Sequence, residues 1–375
     1  MSPTILMQAN QVSRLFVKRP DYAERLVGLL GAKVASHTVH AVDRVDLTIH
    51  QGEVVGLVGE SGCGKSTLGR VLAGILPATS GSIQTPAGEL STLTGRAAHA
   101  QRMATQMIFQ DPMSSLNPRK RVRDIIGEAP LANGIIARRD YDDYVVQVMR
   151  RVGLDPDYRN RFPHQFSGGQ RQRVGIGRAL AVKPGFLICD ESIAALDVSI
   201  QAQILNLFMD LRQDLGLTYL FISHDLGVVR RISDRTVIMY LGRVVESGPT
   251  AEVFAAPRHP YTQALLQEVP RLSNRKRRFH AIKGEIPSPL NPPPGCHFHP
   301  RCPQAIARCK TEQPLLRVTA DGHQAACHLL DGAGAGPSRN SRRMNRFSTP
   351  IRRAPRRWPC WRCWPAPRPP WRGRC

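Results

Sequence analysis

The sequence predicts an α/β fold: a mainly parallel sheet with helices on both faces, a helical subdomain inserted into it, and a small cysteine-containing C-terminal region. Three observations predict it. Short apolar runs of strand length recur at 54–58, 186–189, 219–222 and 236–240. Helical stretches lie between them, and strands interleaved with helices build parallel sheets covered on both faces. Between the first two runs, residues of about 115–178 read as helical and are punctuated by Pro118, Pro156 and Pro163.

In chain order, residues 41–49 (AVDRVDLTI) alternate apolar and polar positions, as a half-buried strand does. The run 54–58 (VVGLV) is continuously apolar apart from one glycine, as a central strand is. A glycine-rich loop follows, and 66–76 carries apolar residues at helical spacing. The run 186–189 ends in Asp190 and Glu191, and the run 219–222 ends in Ser223 and His224. These patterns divide the chain into residues 1–256, the sheet domain with its helical insert at about 115–178, a proline-rich and cysteine-bearing region at 257–332, and a tail at 333–375.

The chain has 375 residues and a formal net charge of +23. The tail contributes twelve arginines and no lysine or acid, which leaves +11 on the first 332 residues. That basic balance suits a protein that handles a polyanion or sits near an anionic membrane surface. The tail also holds all four tryptophans. It shows no periodicity and reads as an unstructured extension, with a basic binding arm as the competing reading. No stretch reaches the roughly 18 apolar residues of a spanning helix. The N-terminus lacks a positive region followed by an apolar run, so a cytoplasmic location is expected, with membrane association through a docked partner. Nine cysteines in such a chain argue against a disulfide framework.

Gly59, Glu60, Ser61, Gly62, Cys63, Gly64, Lys65 and Ser66 read GESGCGKS, and Thr67 follows. The pattern is G-x-x-x-x-G-K-[ST], between an expected strand and an expected helix, which is the context of a P-loop NTPase. Its glycines let backbone N–H groups turn around a β-phosphate, and the helix start adds its positive end. Lys65 is expected to reach the β- and γ-phosphates of ATP, and Ser66 to offer a hydroxyl to Mg²⁺. Asp190, at a strand end, is placed to hold that Mg²⁺ directly or through water, and Glu191 to polarise the attacking water.

The segment 166–173, FSGGQRQR, discriminates among P-loop proteins. Together with Gln110, the Asp190–Glu191 pair and His224, it closely resembles the ATP-binding subunit of ABC transporters. The resemblance implies that Ser167, Gly168, Gly169 and Gln170 form a signature loop that binds the γ-phosphate of an ATP held by a second subunit. It implies that Gln110 senses Mg²⁺ and water, that Ala195, Leu196 and Asp197 form a loop across the subunit interface, and that His224 bonds the γ-phosphate. It places Phe16 where an aromatic ring stacks on adenine. One departure is DESIAALD at 190–197, where the family commonly has proline at the position of Ser192 and serine at that of Ala194. The turn after Glu191 is expected to be looser for it.

The segments GESGCGKSTLGR, FQDPMSSLNPR, FPHQFSGGQRQRVGIGRAL, LDVSIQAQILNL and HPYTQALLQEVP resemble the oligopeptide/dipeptide importer branch, and the long segment between Phe16 and Ala41 resembles its second ATPase subunit type. That resemblance implies a second homologous ATPase subunit, two transmembrane permease subunits, an extracytoplasmic solute-binding protein, a peripheral position on the cytoplasmic face of the plasma membrane, and no nucleic acid partner. Two other readings use the same residues. A soluble ABC ATPase acting on nucleic acid or ribosomes predicts two cassettes or a long coiled coil, and a non-enzymatic module predicts DNA binding through the tail; one cassette and no sustained heptads are present. Cys296, Cys302, Cys309 and Cys327 supply four thiols within 32 residues, enough for a [4Fe–4S] cluster or for zinc with nearby histidines, or to stay free. Relatives carry such a set, and in some it holds an iron–sulfur cluster.

Overall fold

The computed structural model describes residues 4–18, 37–194, 196–267, 284–318 and 322–331. Two sheets organise them. The first is antiparallel, in the order β2-β1-β4-β5, from β1 (Ile5–Lys18), β2 (His37–His50), β4 (Ser80–Thr85) and β5 (Gly88–Glu89). The second has the order β11-β12-β10-β9-β3-β8-β7-β6. Its centre is parallel: β3 (Val54–Val58) lies between β8 (Thr218–Ser223) and β9 (Arg235–Tyr240), and β7 (Phe186–Asp190) lies between β8 and β6 (Thr105–Ile108). Strands β3, β7 and β8 are buried at every position, which is why they read as unbroken apolar runs.

The far edge is antiparallel. β10 (Arg243–Pro249) pairs with β9, then with β12 (Gln324–Ala325), which pairs with β11 (Arg317–Val318). Residues near the end of the described chain thus extend the sheet that contains the glycine-rich loop.

Helix α1 (Lys65–Leu72) leaves β3 through that loop and buries Leu68, Val71 and Leu72. Helix α2 (Gly95–Ala104) leads into β6. The stretch that reads as helical holds α3 (Pro112–Ser115), α4 (Val122–Ala132), α5 (Tyr141–Arg151) and α6 (Gly168–Leu180). α4 buries Val122, Ile125 and Ile126, α5 buries Tyr144, Val145, Val148 and Met149, and these stripes share one core with α6 and with β7 and β8. Helices α7 (Val198–Leu215) and α8 (Leu226–Ile232) connect β7 to β8 and β8 to β9. After β10 come α9 (Thr250–Ala255) and α10 (Pro260–Gln267). Tyr261, Leu265 and Leu266 of α10 and Phe298 from the cysteine region join Val58 and Tyr240 in a single buried cluster. The described residues Tyr261, Leu265, Leu266 and Phe298 are therefore packed on the eight-stranded sheet through a shared core.

The antiparallel sheet departs from the sequence reading, which found only part of β2 and neither β1 nor β4. The tail, Ala195 and the whole segment between β1 and β2 lie outside the described residues. Among the described residues no helix is long and apolar enough to cross a membrane.

Candidate functional site

The site forms where the parallel strands end at their C-terminal edge, the place where open α/β sheets bind ligands. The loop after β3 enters α1 through Gly64, whose φ of 104° suits only glycine; a Cβ there would also stand 2.0 Å from the Ala41 carbonyl oxygen. Lys65 is buried, and its Nζ donates to Gly59 O at 2.8 Å and Glu60 O at 3.0 Å. The ammonium is folded back over its own loop, beside the turn of N–H groups at the head of α1. The Cys63 thiol is buried, and burial raises its pKa, so it stays a neutral packing group. Ser61 and Gly62 are exposed, and Ser66 and Thr67 are half-buried at the first turn of α1.

Asp190 closes β7 and is 2 % exposed. Its Oδ1 accepts a 2.7 Å hydrogen bond from Ser66 Oγ. Burial raises the Asp190 pKa; the Ser66 bond and the charges of Arg70 and Lys65 act against that rise, while neighbouring Glu191 adds to it. A carboxylate and a hydroxyl held this close, in a desolvated corner, suit a divalent cation completed by phosphate oxygens and water, as Mg²⁺ is usually bound.

Glu191 follows with φ 43°, a left-handed conformation rare for a side chain of its size, held by its N–H on Ile222 O at 3.0 Å. Its Oε2 accepts from Gln110 Nε2 at 2.8 Å and faces His224 Nδ1 at 3.5 Å. Gln110 comes from the end of β6, Glu191 from β7 and His224 from the end of β8. Three strand ends thus bring Gln110 and His224 to one carboxylate oxygen of Glu191.

Ser167 caps α6. Its Oγ accepts from Gln170 N at 3.4 Å, and Gln170 Oε1 accepts from Ser167 N at 3.0 Å, a reciprocal capping box. Gly169 is buried against α7, where a Cβ would stand 2.6 Å from Ile200 Cγ2. Ser167 and Gly168 are exposed, as is Asp197 at the head of α7. Among the described residues no hydrogen bond or ion pair joins 167–170 to the loop 59–66. Phe16 lies on β1, opposite Val39, with 37 % of its surface exposed and the Arg14 guanidinium 4.8 Å above its ring. Its exposure leaves a face for stacking.

The structure also shows two site neighbours that sequence reasoning missed, Arg301 and Tyr261. Glu60, inside the loop, receives both guanidinium nitrogens of Arg301, at 2.8 and 3.0 Å. Its backbone N–H donates to Tyr261 Oη at 3.0 Å. Ser192, in the place of the family proline, is buried, and its Oγ has no hydrogen-bond partner among the described residues.

The four cysteines share one neighbourhood. Cys296 N donates to Cys309 O at 2.9 Å. Burial pushes the Cys296 thiol up to about 11, with the sulfurs of Cys309, Cys327 and Cys302 adding to it. Yet among the described residues no three His, Cys, Asp or Glu stand together as a metal-holding group. The donor chemistry fits a soft metal; the placement does not form a ligand set.

Comparison with known proteins follows the same division. A family described as "ABC transporter" matches residues 42–194, and one described as "Oligopeptide/dipeptide transporter, C-terminal region" matches residues 245–309. The chain is 48 % identical over 299 residues to the probable peptide ABC transporter ATP-binding protein y4tS of Sinorhizobium fredii, covering 79 % of this chain and 84 % of that one. It is 46 % identical over 328 residues to the oligopeptide transport ATP-binding protein AppF of Bacillus subtilis, covering 86 % and 97 %. It is 45 % identical to the dipeptide transport ATP-binding protein DppF of Haemophilus influenzae, covering 78 % and 90 %. Among solved structures it is similar to cbiO1 from Clostridium perfringens, described as part of the ABC transporter complex cbiONQ, with TM-score 0.56 and 26 % identity over 68 % of this chain and 92 % of that one.

Proposed function

This chain belongs to the ABC transporter family of ATP-binding proteins and is an ATPase of that family, and from that premise we propose that it energises the import of dipeptides, oligopeptides or related solutes. The observation that carries the catalytic reading is the convergence of Ser66, Asp190, Gln110, Glu191 and His224 from four strand ends. The match of residues 245–309 and the names of the relatives support the solute class.

In the proposed reaction, the loop N–H groups and Lys65 bind the phosphates, and Lys65 leaves its contacts on Gly59 O and Glu60 O to do so. Phe16 stacks on adenine. Mg²⁺, held by Ser66 and Asp190 with Gln110 beside them, would neutralise charge on the phosphate oxygens. Glu191 orients the attacking water and takes its proton. Its strained backbone fixes the carboxylate where Gln110 and His224 hold it. Catalysis is then positioning and charge stabilisation.

As the resemblance of 166–173 to a signature loop implies, a second homologous ATPase subunit would offer its signature loop to this chain's nucleotide and receive this chain's loop on its own. Asp197 lies at that junction. Two transmembrane permease subunits would hold the pair at the cytoplasmic face of the plasma membrane, and an extracytoplasmic binding protein would deliver the solute. We assign residues 1–256 to the ATPase domain, with the helical insert at about 115–178 as the permease-facing part, 257–332 to the importer-type C-terminal region, and 333–375 to a tail without a role in hydrolysis. The four-thiol group enters only as a candidate [4Fe–4S] site supported by its donor chemistry, and no step of hydrolysis runs through it.

The test is reconstitution. The chain, its partner ATPase and the two permeases in vesicles, supplied with the binding protein, should take up peptide in the presence of ATP, and the isolated chain should bind ATP but hydrolyse it slowly. Peptide-independent uptake of an unrelated solute would overturn the substrate class. Protein purified anaerobically with neither bound iron nor broad visible absorbance would remove the cluster.

A further inference from the structure

The polar groups of Glu60 are all engaged. Its N–H goes to Tyr261 Oη at 3.0 Å, its carbonyl accepts from Lys65 Nζ at 3.0 Å, and its carboxylate takes the two-pronged Arg301 bond. Two of these partners come from beyond residue 256, and Arg301 lies 241 residues away in sequence. Arg301 is itself buried, its side chain 5 % exposed. Its guanidinium also lies against Tyr240, with NH1 3.4 Å from Tyr240 Oη and Cζ 5.9 Å from the ring centre. Tyr240, Tyr261 and Phe298 pack on one another with ring centres 4.7–5.3 Å apart, so the base of the clamp is a rigid aromatic cluster.

A forked guanidinium on a carboxylate fixes direction as well as distance. A carboxylate inside a loop that must receive a triphosphate would repel it if left unpaired. And the Glu60 carbonyl is one of the two oxygens on which Lys65 rests.

We propose that Arg301 is a positioning residue for the phosphate loop: acting through Glu60, and together with Tyr261, the C-terminal region holds the loop backbone in the geometry that receives ATP. The C-terminal region is thereby part of the nucleotide site, and loosening it weakens ATP binding while leaving the chemical step intact. This rests on the ATP-binding reading of the loop.

The experiment is a double-mutant cycle on the full chain, read by titration with a fluorescent ATP analogue and, in the reconstituted transporter, by KM and kcat for ATP. Arg301→Ala and Glu60→Ala should each weaken MgATP binding about tenfold, the scale of one charge-assisted hydrogen bond. The double variant should be no worse than either single one. Arg301→Lys, which keeps the charge and loses the fork, should fall between Arg301→Ala and wild type. KM should rise with kcat at saturating ATP nearly unchanged. If Arg301→Ala fails to fold, Glu60→Ala, a change in a half-buried loop, still decides the matter. Unaltered ATP affinity in Glu60→Ala, losses that simply add in the double variant, or a fall in kcat at constant KM would each overturn the proposal. Lys65→Ala tests the underlying reading separately: if it still binds ATP normally, the loop is not the ATP site; if it loses ATP while the cycle shows no coupling, only the clamp is refuted.

Discussion

Ser66 Oγ and Asp190 Oδ1 meet at 2.7 Å although 124 residues separate them in the chain. The hydroxyl opens a helix and the carboxylate ends the strand two places from the one that feeds that helix, so the sheet order alone brings them together. Asp190→Asn removes the charge and keeps the shape. Affinity for MgATP should fall by roughly tenfold or more, whereas affinity for ATP in excess chelator should barely change. Titration with and without Mg²⁺ reads the difference, and equal losses in both would detach Asp190 from the metal.

Glu191→Gln replaces the carboxylate that Gln110 and His224 hold with a neutral amide of the same size. ATP binding should persist, and turnover in the assembled transporter should drop roughly 100-fold or more, the range expected for loss of a positioned base. A variant that hydrolyses at the wild-type rate would show that another group handles the water.

The turn that follows carries Ser192, whose buried hydroxyl has no hydrogen-bond partner among the described residues. Removing an unsatisfied buried hydroxyl without changing the backbone usually stabilises. Ser192→Ala should therefore raise the unfolding free energy by about 1 kcal/mol. Chemical denaturation measures it, and a loss of stability would mean that the hydroxyl finds a partner in solution.

Acid should loosen the junction between the C-terminal region and the sheet. Burial pushes His259 down to about 4, and its Nδ1 accepts from Tyr261 N at 3.0 Å, so the folded chain keeps this imidazole neutral. Burial likewise lowers His297 to about 4. The unfolded chain takes up these protons near pH 6.5, so stability is lost as pH falls from about 6.5 towards 4, on the order of 3 kcal/mol for a fully buried histidine. Glu246 acts in the same direction. Burial opposes its ionisation, but the His323 bond and the N–H groups of Arg258 and His259 outweigh burial and lower its pKa. Its contribution is present above the ordinary glutamate value and is lost as pH falls through the lowered one. His259→Asn, which keeps an acceptor for the Tyr261 N–H, should flatten the acid limb of the melting temperature against pH. An unchanged limb would place the sensitivity elsewhere.

How legible this was depended on whether a signal is local. Strands β3, β7 and β8 are buried on both faces, so burial wrote them as apolar runs that periodicity finds. The residues of the site stand at the ends of such runs, where Asp190 and His224 mark themselves. Strand β1 was missed because its register shifts at Ile5/Met7, Ala9/Val12, Val12/Arg14 and Arg14/Leu15, and each shift breaks the alternation that identifies a half-buried strand. Arg301 was missed because nothing near it in sequence distinguishes it from other surface arginines; its meaning lies in Glu60 and Tyr240, on distant strand ends. The cysteine spacing, in turn, promised more ligand geometry than the fold delivers.

The pairing of β12 with β10 sets an order of events at the ribosome. Glu246 and Ser247 find their strand partners, Ala325 and Gln324, only near the end of the described chain, and the Glu246 carboxylate waits 77 residues for His323. At roughly 5–20 residues per second of synthesis, Gln110, Asp190, Glu191 and His224 have all emerged several seconds before that edge can close. During the interval β10 offers an open hydrogen-bonding edge and an acid that lacks its His323 partner, both of which invite off-pathway association. A nascent chain stalled before residue 323 is thus the species a holding chaperone would be expected to meet.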